Sequence, residues 1–193
     1  MPTLERKRRI TKVASQRQTG VVVLEDVYDP HNAAAVLRSC EAFGIQKAFF
    51  VFDKQKRFNP KKIGSTTSSS ANKWLDFEVF ASIQACIKRL KHDGYTTYAT
   101  VLDSQSTSLF RTKFTQKKVA LLFGNEHSGL SASAIKLADR KLYIPMRGFV
   151  QSLNLSVTAA ICLFELTRQR QNRAKNFLLP VAEKNSLQKK WLK

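Results

Sequence analysis

Short apolar runs separated by helical patterns constrain the fold of this chain more than any other feature. They fall at residues 21–27, 48–53, 95–102, 119–123 and 142–144, with 77–80 a weaker match to the same pattern. Each is rich in β-branched or aromatic residues and is mostly apolar throughout rather than alternating, as expected of strands covered on both faces. Between them helices are predicted over 33–43, 82–92 and 131–137, and a last one over 154–170. Strands alternating with helices in this way define an α/β domain. Asn32, two residues after Pro30, is expected to cap the first helix, and Gly44 and Gly94 stand where helices should stop.

The last helix is apolar on two sides. Leu153, Val157, Ala160, Ile161 and Phe164 mark one face, and Leu155, Ala159, Cys162, Leu163 and Leu166 fill the other. Such a helix is either a plain core helix or one buried between its own sheet and a second subunit. The stretch 64–72, GSTTSSSAN, is a loop by composition. It is either an inert linker or a substrate-side loop.

With 193 residues, the chain can bury one substantial core, and its hydrophobic content of 43% fits a folded protein. No apolar run is long enough to span a membrane, and the opening MPTLERKRRITKV lacks the apolar core of a secretory signal. Cys40, Cys86 and Cys162 are widely spaced and odd in number, which fits reduced thiols and a cytoplasmic location. The formal charge is +19. Arg6, Lys7, Arg8, Arg9, Lys12 and Arg17 face only Glu5 in residues 1–20, while residues 168–193 hold eight cations against Glu183. Cations gathered at both ends suit terminal arms that grip a polyanion, with an anionic membrane surface the competing partner.

Several kinds of active site are excluded. There is no P-loop, no GxSxG elbow, and no glycine-rich turn after the first strand, which ends in EDVYDPHN. His31, His92 and His127 have no HxxxH or Cys/His pairing, so no metal is expected.

Three segments remain as candidates for chemistry. Residues 29–44, DPHNAAAVLRSCEAFG, form a strand-to-helix turn and an amphipathic helix with Val36, Cys40 and Phe43 facing the core. Arg38 lies off that stripe, on the side of Ala34 and Glu41; it is either solvated and paired with Glu41, or open to a substrate across a thin alanine surface. Residues 119–130, VALLFGNEHSGL, run a strand into a loop with Gly124 and Gly129 around Asn125 and Glu126. This is either an ordinary connection or a cofactor loop at the carboxyl end of a strand. Residues 142–155, LYIPMRGFVQSLNL, reach the last helix through Pro145 and Gly148, with Ile144, Met146 and Leu153 as apolar surface and Ser152 and Asn154 as directed polar groups.

In this order the segments resemble the three motifs of the SpoU family of RNA 2′-O-methyltransferases: NxxAxxRxxxxFG, FGNExxGL and IPMxGxxxSLNLSV. The flanking RITKVASQRQTGVVVLEDVYDPHN and LFELTRQRQNR extend the resemblance over about residues 6–173, toward members that act on guanosine-18 of tRNA.

The resemblance implies a parallel α/β domain over 20–167 with a C-terminal deep trefoil knot, between short basic helical extensions at 1–19 and 168–193. It implies S-adenosylmethionine as methyl donor, a homodimer, tRNA as partner, and neither metal, membrane nor DNA. Cofactor contacts are expected at Thr100, Leu122, Gly124, Asn125, Glu126, Gly129, Ile144, Pro145, Met146, Ser152, Leu153 and Asn154. Arg38, Asn32, Glu126, Ser152 and Asn154 carry over as catalytic residues. A free arginine stays protonated well beyond neutral pH, so Arg38 is expected to clamp a phosphate that shares in proton removal, with a true arginine base as the alternative. Arg6, Lys7, Arg8, Arg9, Lys12, Arg168, Arg170 and Arg173 are the expected RNA contacts. Another tRNA or rRNA target within the family, and a catalytically silent RNA-binding protein, are the rival readings.

Overall fold

Seven parallel strands form one sheet; counted along the chain, they lie side by side in the order third, second, first, sixth, fourth, seventh and fifth. The computed structural model describes residues 2–63, 71–171 and 176–192. The strands are β1 (Gln18–Glu25), β2 (Ile45–Val51), β3 (Asp76–Phe80), β4 (Thr96–Thr100), β5 (Thr107–Ser108), β6 (Val119–Phe123) and β7 (Arg140–Tyr143). The helices are α1 (Leu4–Ser15), α2 (Pro30–Ala42), α3 (Ile83–His92), α4 (Ala132–Leu137), α5 (Leu155–Arg170) and α6 (Val181–Trp191).

Residue alternation along the strands divides the core into two layers. Val22, Leu24, Phe50, Leu121 and Phe123 face α2 and α5. Their neighbours Val21, Val23, Phe49, Val51 and Leu122 face α3 and α4. Each strand therefore needs apolar residues at every position, which explains the unbroken runs in the sequence. Gly44 and Gly94 follow α2 and α3 with φ of +73° and +78°, the left-handed geometry that ends a helix.

The chain departs from the sequence reading in several places. β1 starts at Gln18, because its polar first residues are held by a bridge to Leu178 and by the Phe177 carbonyl. The polar, two-residue β5 has no apolar pattern to announce it. The cap of α2 is Asp29, whose side chain accepts from the His31 amide, with Pro30 in the first turn; Asn32 lies inside the helix. In the Ser/Thr-rich stretch, residues 64–70 lie outside the described part of the chain. Ala71 and Asn72 belong to a 3₁₀ turn (Ala71–Lys73), with buried Asn72 donating to the carbonyls of Lys61 and Ile63.

The termini pack on each other. Ile10 and Ala14 of α1 meet Leu187 and Trp191 of α6 and nearby Leu179 in a third apolar cluster. Arg17, just after α1, is buried against Glu41 at 3.0 Å and lies 5.2 Å from the Trp191 ring centre. Arg6, Lys7, Arg8, Arg9 and Lys12 all stay exposed on α1.

Arg170 corrects the reading of the basic tail. Expected at the RNA surface, it is 2% exposed. Its guanidinium donates to the Gln18 side chain at 3.0 Å and to the carbonyls of Thr19, Gln116 and Lys117, beside the Phe177 ring. These carbonyls stand at the amino ends of β1 and β6, where α5 ends, and a guanidinium fork reaches several of them at once. Burial lowers its pKa to about 10, which leaves it charged at neutral pH. Arg168 is exposed but bonded through two nitrogens to Glu165, and Arg173 lies outside the described residues.

Candidate active site

In an open parallel sheet, ligands sit beyond the carboxyl ends of the strands, where the strand order reverses. Here β1 ends beside β6, and loops 26–29 and 124–131 leave that edge together. Asp26 organises the first loop. It is the one described non-glycine residue with positive φ, +50°, a conformation aspartate tolerates. Its carboxylate accepts from the amides of Asp53, Lys54 and Gln55, and its carbonyl accepts from Asn125 Nδ2 at 2.7 Å. Sequence reasoning missed Asp26; its one signal is the pair of acids, Glu25 and Asp26, that closes the strand.

The second loop folds tightly on itself. Asn125 and Gly129 exchange two amide–carbonyl bonds at 3.0 and 2.9 Å, while the Asn125 side chain accepts from the amides of His127 and Ser128. Any Cβ at Gly124 would overlap the backbone of Gly129 and Leu130, so only glycine fits. Buried Glu25, the other missed acid, accepts from the Ser131 amide and hydroxyl and holds the start of α4.

Glu126 stands at the tip and joins the segments. Its carboxylate accepts from the amides of Tyr28 (2.9 Å) and Asp29 (3.2 Å) and from Asn32 Nδ2 (2.9 Å). Asn32 Oδ1 in turn accepts from Asn154 Nδ2 at 3.0 Å. Asn154 caps α5, accepting from the amide and hydroxyl of Ser156. Burial pushes the Glu126 carboxyl up, but the bonds from Asn32, Tyr28 and Asp29 outweigh it and hold the group below the usual carboxylate range.

Three expected site residues, Asn32, Glu126 and Asn154, therefore form one hydrogen-bonded chain. Arg38 does not join it. Arg38 is exposed on α2 with no ion pair among the described residues; its expected partner Glu41 is taken by Arg17. Ser152 is exposed and outside the chain as well. Thr100 donates to the Leu122 carbonyl at 2.8 Å, fixing the ends of β4 and β6.

The fit to a nucleoside-like cofactor rests on the apolar surface beside the tight Gly124 loop. Leu122 is buried beneath the Gly124 loop, and Ile144, Pro145, Met146 and Leu153 are half-buried, leaving apolar surface for a flat ring. A cavity of about 860 Å³ lies elsewhere, along β4 and β7 among Tyr98, Arg111 and Arg140. It contains none of these residues. The thiols of Cys40, Cys86 and Cys162 are pushed up to about 12 by burial and take no part. Among the described residues there is no metal-binding cluster, and no helix is long and apolar enough to cross a membrane.

A parallel α/β sheet carrying these three interlocked segments at its carboxyl edge matches one known family. The chain belongs to the SpoU rRNA Methylase family, which matches residues 20–164. It is 41% identical over 172 residues to a tRNA (guanosine(18)-2′-O)-methyltransferase of Thermus thermophilus, covering 87% of this chain and 84% of that protein. It is 32% identical over 184 residues to the Escherichia coli protein of the same name, covering 93% of this chain and 78% of that one. The crystal structure of the A. aeolicus TrmH/SpoU tRNA modifying enzyme superposes with a TM-score of 0.84 at 29% identity, over 97% of this chain and 94% of that one. A methyltransferase from Streptomyces viridochromogenes in complex with AdoMet matches with a TM-score of 0.66 at 27% identity, over 89% of this chain and 63% of that one.

Proposed function

We propose that this protein transfers a methyl group from S-adenosylmethionine to the ribose 2′-hydroxyl of guanosine-18 in tRNA. The observation that carries the reading is the Asn154–Asn32–Glu126 chain, which ties the three motif segments into one polar site. The names of the Thermus and Escherichia relatives supply the substrate.

The chemistry that bound S-adenosylmethionine supplies is an electrophilic methyl group on a good leaving group. What the protein must add is alignment and proton removal from a weakly acidic alcohol. Leu122, Gly124, Asn125, Gly129, Ile144, Pro145, Met146 and Leu153 hold the cofactor, mainly through backbone and apolar contact. Arg38 clamps the neighbouring phosphate, which shares in taking the proton; its exposed guanidinium, with no ion pair among the described residues, suits that task. Glu126 fixes Asn32, and Asn154 with Ser152 positions the ribose.

The remaining parts follow from the same reading. The C-terminal part of the domain threads a deep trefoil knot, as the motif resemblance implies. The domain spans 20–167, and the extensions 1–19 and 168–193 grip tRNA through α1 and α6. The protein is a cytoplasmic homodimer paired through α5, whose Val157 and Phe164 stay exposed, Phe164 at 56%, while Leu163 and Leu166 face the core.

The test is incubation of purified protein with labelled S-adenosylmethionine and, in parallel, bulk tRNA or rRNA, followed by mapping of the methylated nucleotide. Label at ribose 18 is the expected result. Label at a wobble ribose, or in rRNA alone, overturns the target. No label in either RNA overturns the enzyme.

A further inference from the structure

Both tryptophans of this chain, Trp74 and Trp191, line one small cavity of about 310 Å³ with Arg6 and Arg9 at its side. The indole rings meet edge to face, 5.6 Å between centres. Arg17 covers one face of Trp191, which is 5% exposed, so the half-buried Trp74 offers the free aromatic surface. The Trp191 indole N–H is shut in without an acceptor among the described residues. Arg6 and Arg9 have no ion-pair partner among the described residues, and the cavity's one carboxylate, Glu41, is held by Arg17. An aromatic surface beside two free guanidiniums is the chemistry that recognises an unpaired nucleotide: the ring stacks on the base and the cations take the phosphate. The cavity's size is within the range of small-molecule sites, roughly 300–1,000 Å³.

Its position gives it a use. α2 carries Asn32 at one end and Glu41 at the other, about 14 Å apart at the helical rise, with Arg38 between them. The cavity therefore lies within about two to three helical turns of the reaction site, a span that a few nucleotides of extended RNA can cover. We propose that the Trp74–Trp191 cavity holds one unstacked nucleotide of the tRNA, its base on Trp74 and its phosphate between Arg6 and Arg9. This rests on tRNA being the substrate.

Since no other tryptophan exists in the chain, its emission reports on this cavity alone. The full-length protein is titrated with a tRNA transcript, with a blunt RNA duplex and with GMP, while indole emission is recorded. Methylation of the same tRNA at guanosine-18 is measured in parallel. The tRNA is expected to quench emission as it saturates, the signal surviving in Trp191→Phe, where only Trp74 remains. Trp74→Ala should raise the dissociation constant for tRNA roughly five- to hundredfold, the contribution of one stacked base. Cofactor affinity, measured by calorimetry, should stay, showing that the variant is folded.

Saturating tRNA that leaves emission unchanged, while methylation proceeds, overturns the cavity assignment and spares the function. Equal quenching by the blunt duplex also overturns it, since charge alone then disturbs α1 and α6. Quenching by GMP at the affinity of tRNA shows a free nucleotide as occupant and overturns the RNA reading. A protein that neither binds nor methylates tRNA loses the function first and this proposal with it.

Discussion

Asn32 and Glu126, 94 residues apart in the chain, are joined by a 2.9 Å hydrogen bond at the carboxyl edge of the sheet. The bond fastens the first turn of α2 to the loop after β6. The same carboxylate also accepts two amides from the loop after β1. Glu126 thus holds open backbone in place before any substrate arrives, in keeping with catalysis that depends on alignment.

Replacing Glu126→Gln is expected to destabilise the protein by about 1–3 kcal/mol at neutral pH, because an amide cannot accept from three donors as a carboxylate does. For a chain of this size that lowers Tm by roughly 2–12 °C. The native carboxyl lies below its ordinary range, so its contribution is complete above the unfolded pKa of about 4.3 and fades as pH falls through the native value. Melting curves from pH 7 down to pH 3 should show the gap between wild type and variant closing only in acid. A gap that stays constant would detach it from this ionisation.

Arg38→Ala should abolish methylation and leave cofactor affinity near normal. Arg38 stands exposed on α2, outside the hydrogen-bonded chain and away from the core stripe, so its loss costs the fold little. Single-turnover assays and calorimetry check the two halves separately. Lost cofactor binding would place Arg38 at the cofactor instead of the RNA; full activity would remove it from the mechanism.

Arg170→Ala should act on stability alone. The variant leaves the Thr19, Gln116 and Lys117 carbonyls without their donor and opens a hole beside Phe177. The cost is about 3 kcal/mol or more, a fall in Tm of roughly 6–12 °C. If Tm holds and tRNA affinity falls, Arg170 faces RNA after all.

The contrast between Arg170 and Arg38 shows what the sequence carries. The strands announce themselves because residues such as Val21 and Val22 are both buried, on opposite faces, and so must both be apolar. The three site segments are legible as motifs, since Gly124 and Asn154 answer to local backbone demands that few residues meet. Arg170 misleads because charge in a basic tail looks alike whether it meets water or a row of carbonyls. Asn32 looks like a cap because its partner Glu126 is distant in the chain, while the true cap, Asp29, lies just before Pro30. β5 leaves no trace at all, being two polar residues at the sheet edge.

Val157→Glu should convert the protein to a monomer. Val157 lies at the start of α5 on its exposed apolar side, one turn from half-buried Ile161. In the dimer a carboxylate there loses its water without gaining a partner. Sedimentation is expected to give the wild type at twice the 21.9 kDa chain mass and the variant at that mass itself. A wild type that sediments as an active monomer at micromolar concentration rules the dimer out.

Neutralising Arg6, Lys7, Arg8 and Arg9 together should weaken tRNA binding without touching cofactor affinity. All four are exposed on α1, which packs on α6 at the edge of the domain, apart from the loops around Glu126. Each cation seated on a phosphate displaces a counterion, so affinity falls steeply with salt, and removing such cations flattens that dependence. If all four sit on phosphates of a single-stranded or flexible region, their removal lowers the slope of log affinity against log salt by roughly 3 units. A smaller change shows how many of the four meet only water. Binding isotherms over a range of salt concentrations measure this directly. Unchanged affinity with an unchanged slope would show α1 to be a solvated face, and the grip would then have to come from other exposed cations. The first candidates are Arg111, Lys113, Lys136 and Arg140, which line the cavity along β4 and β7.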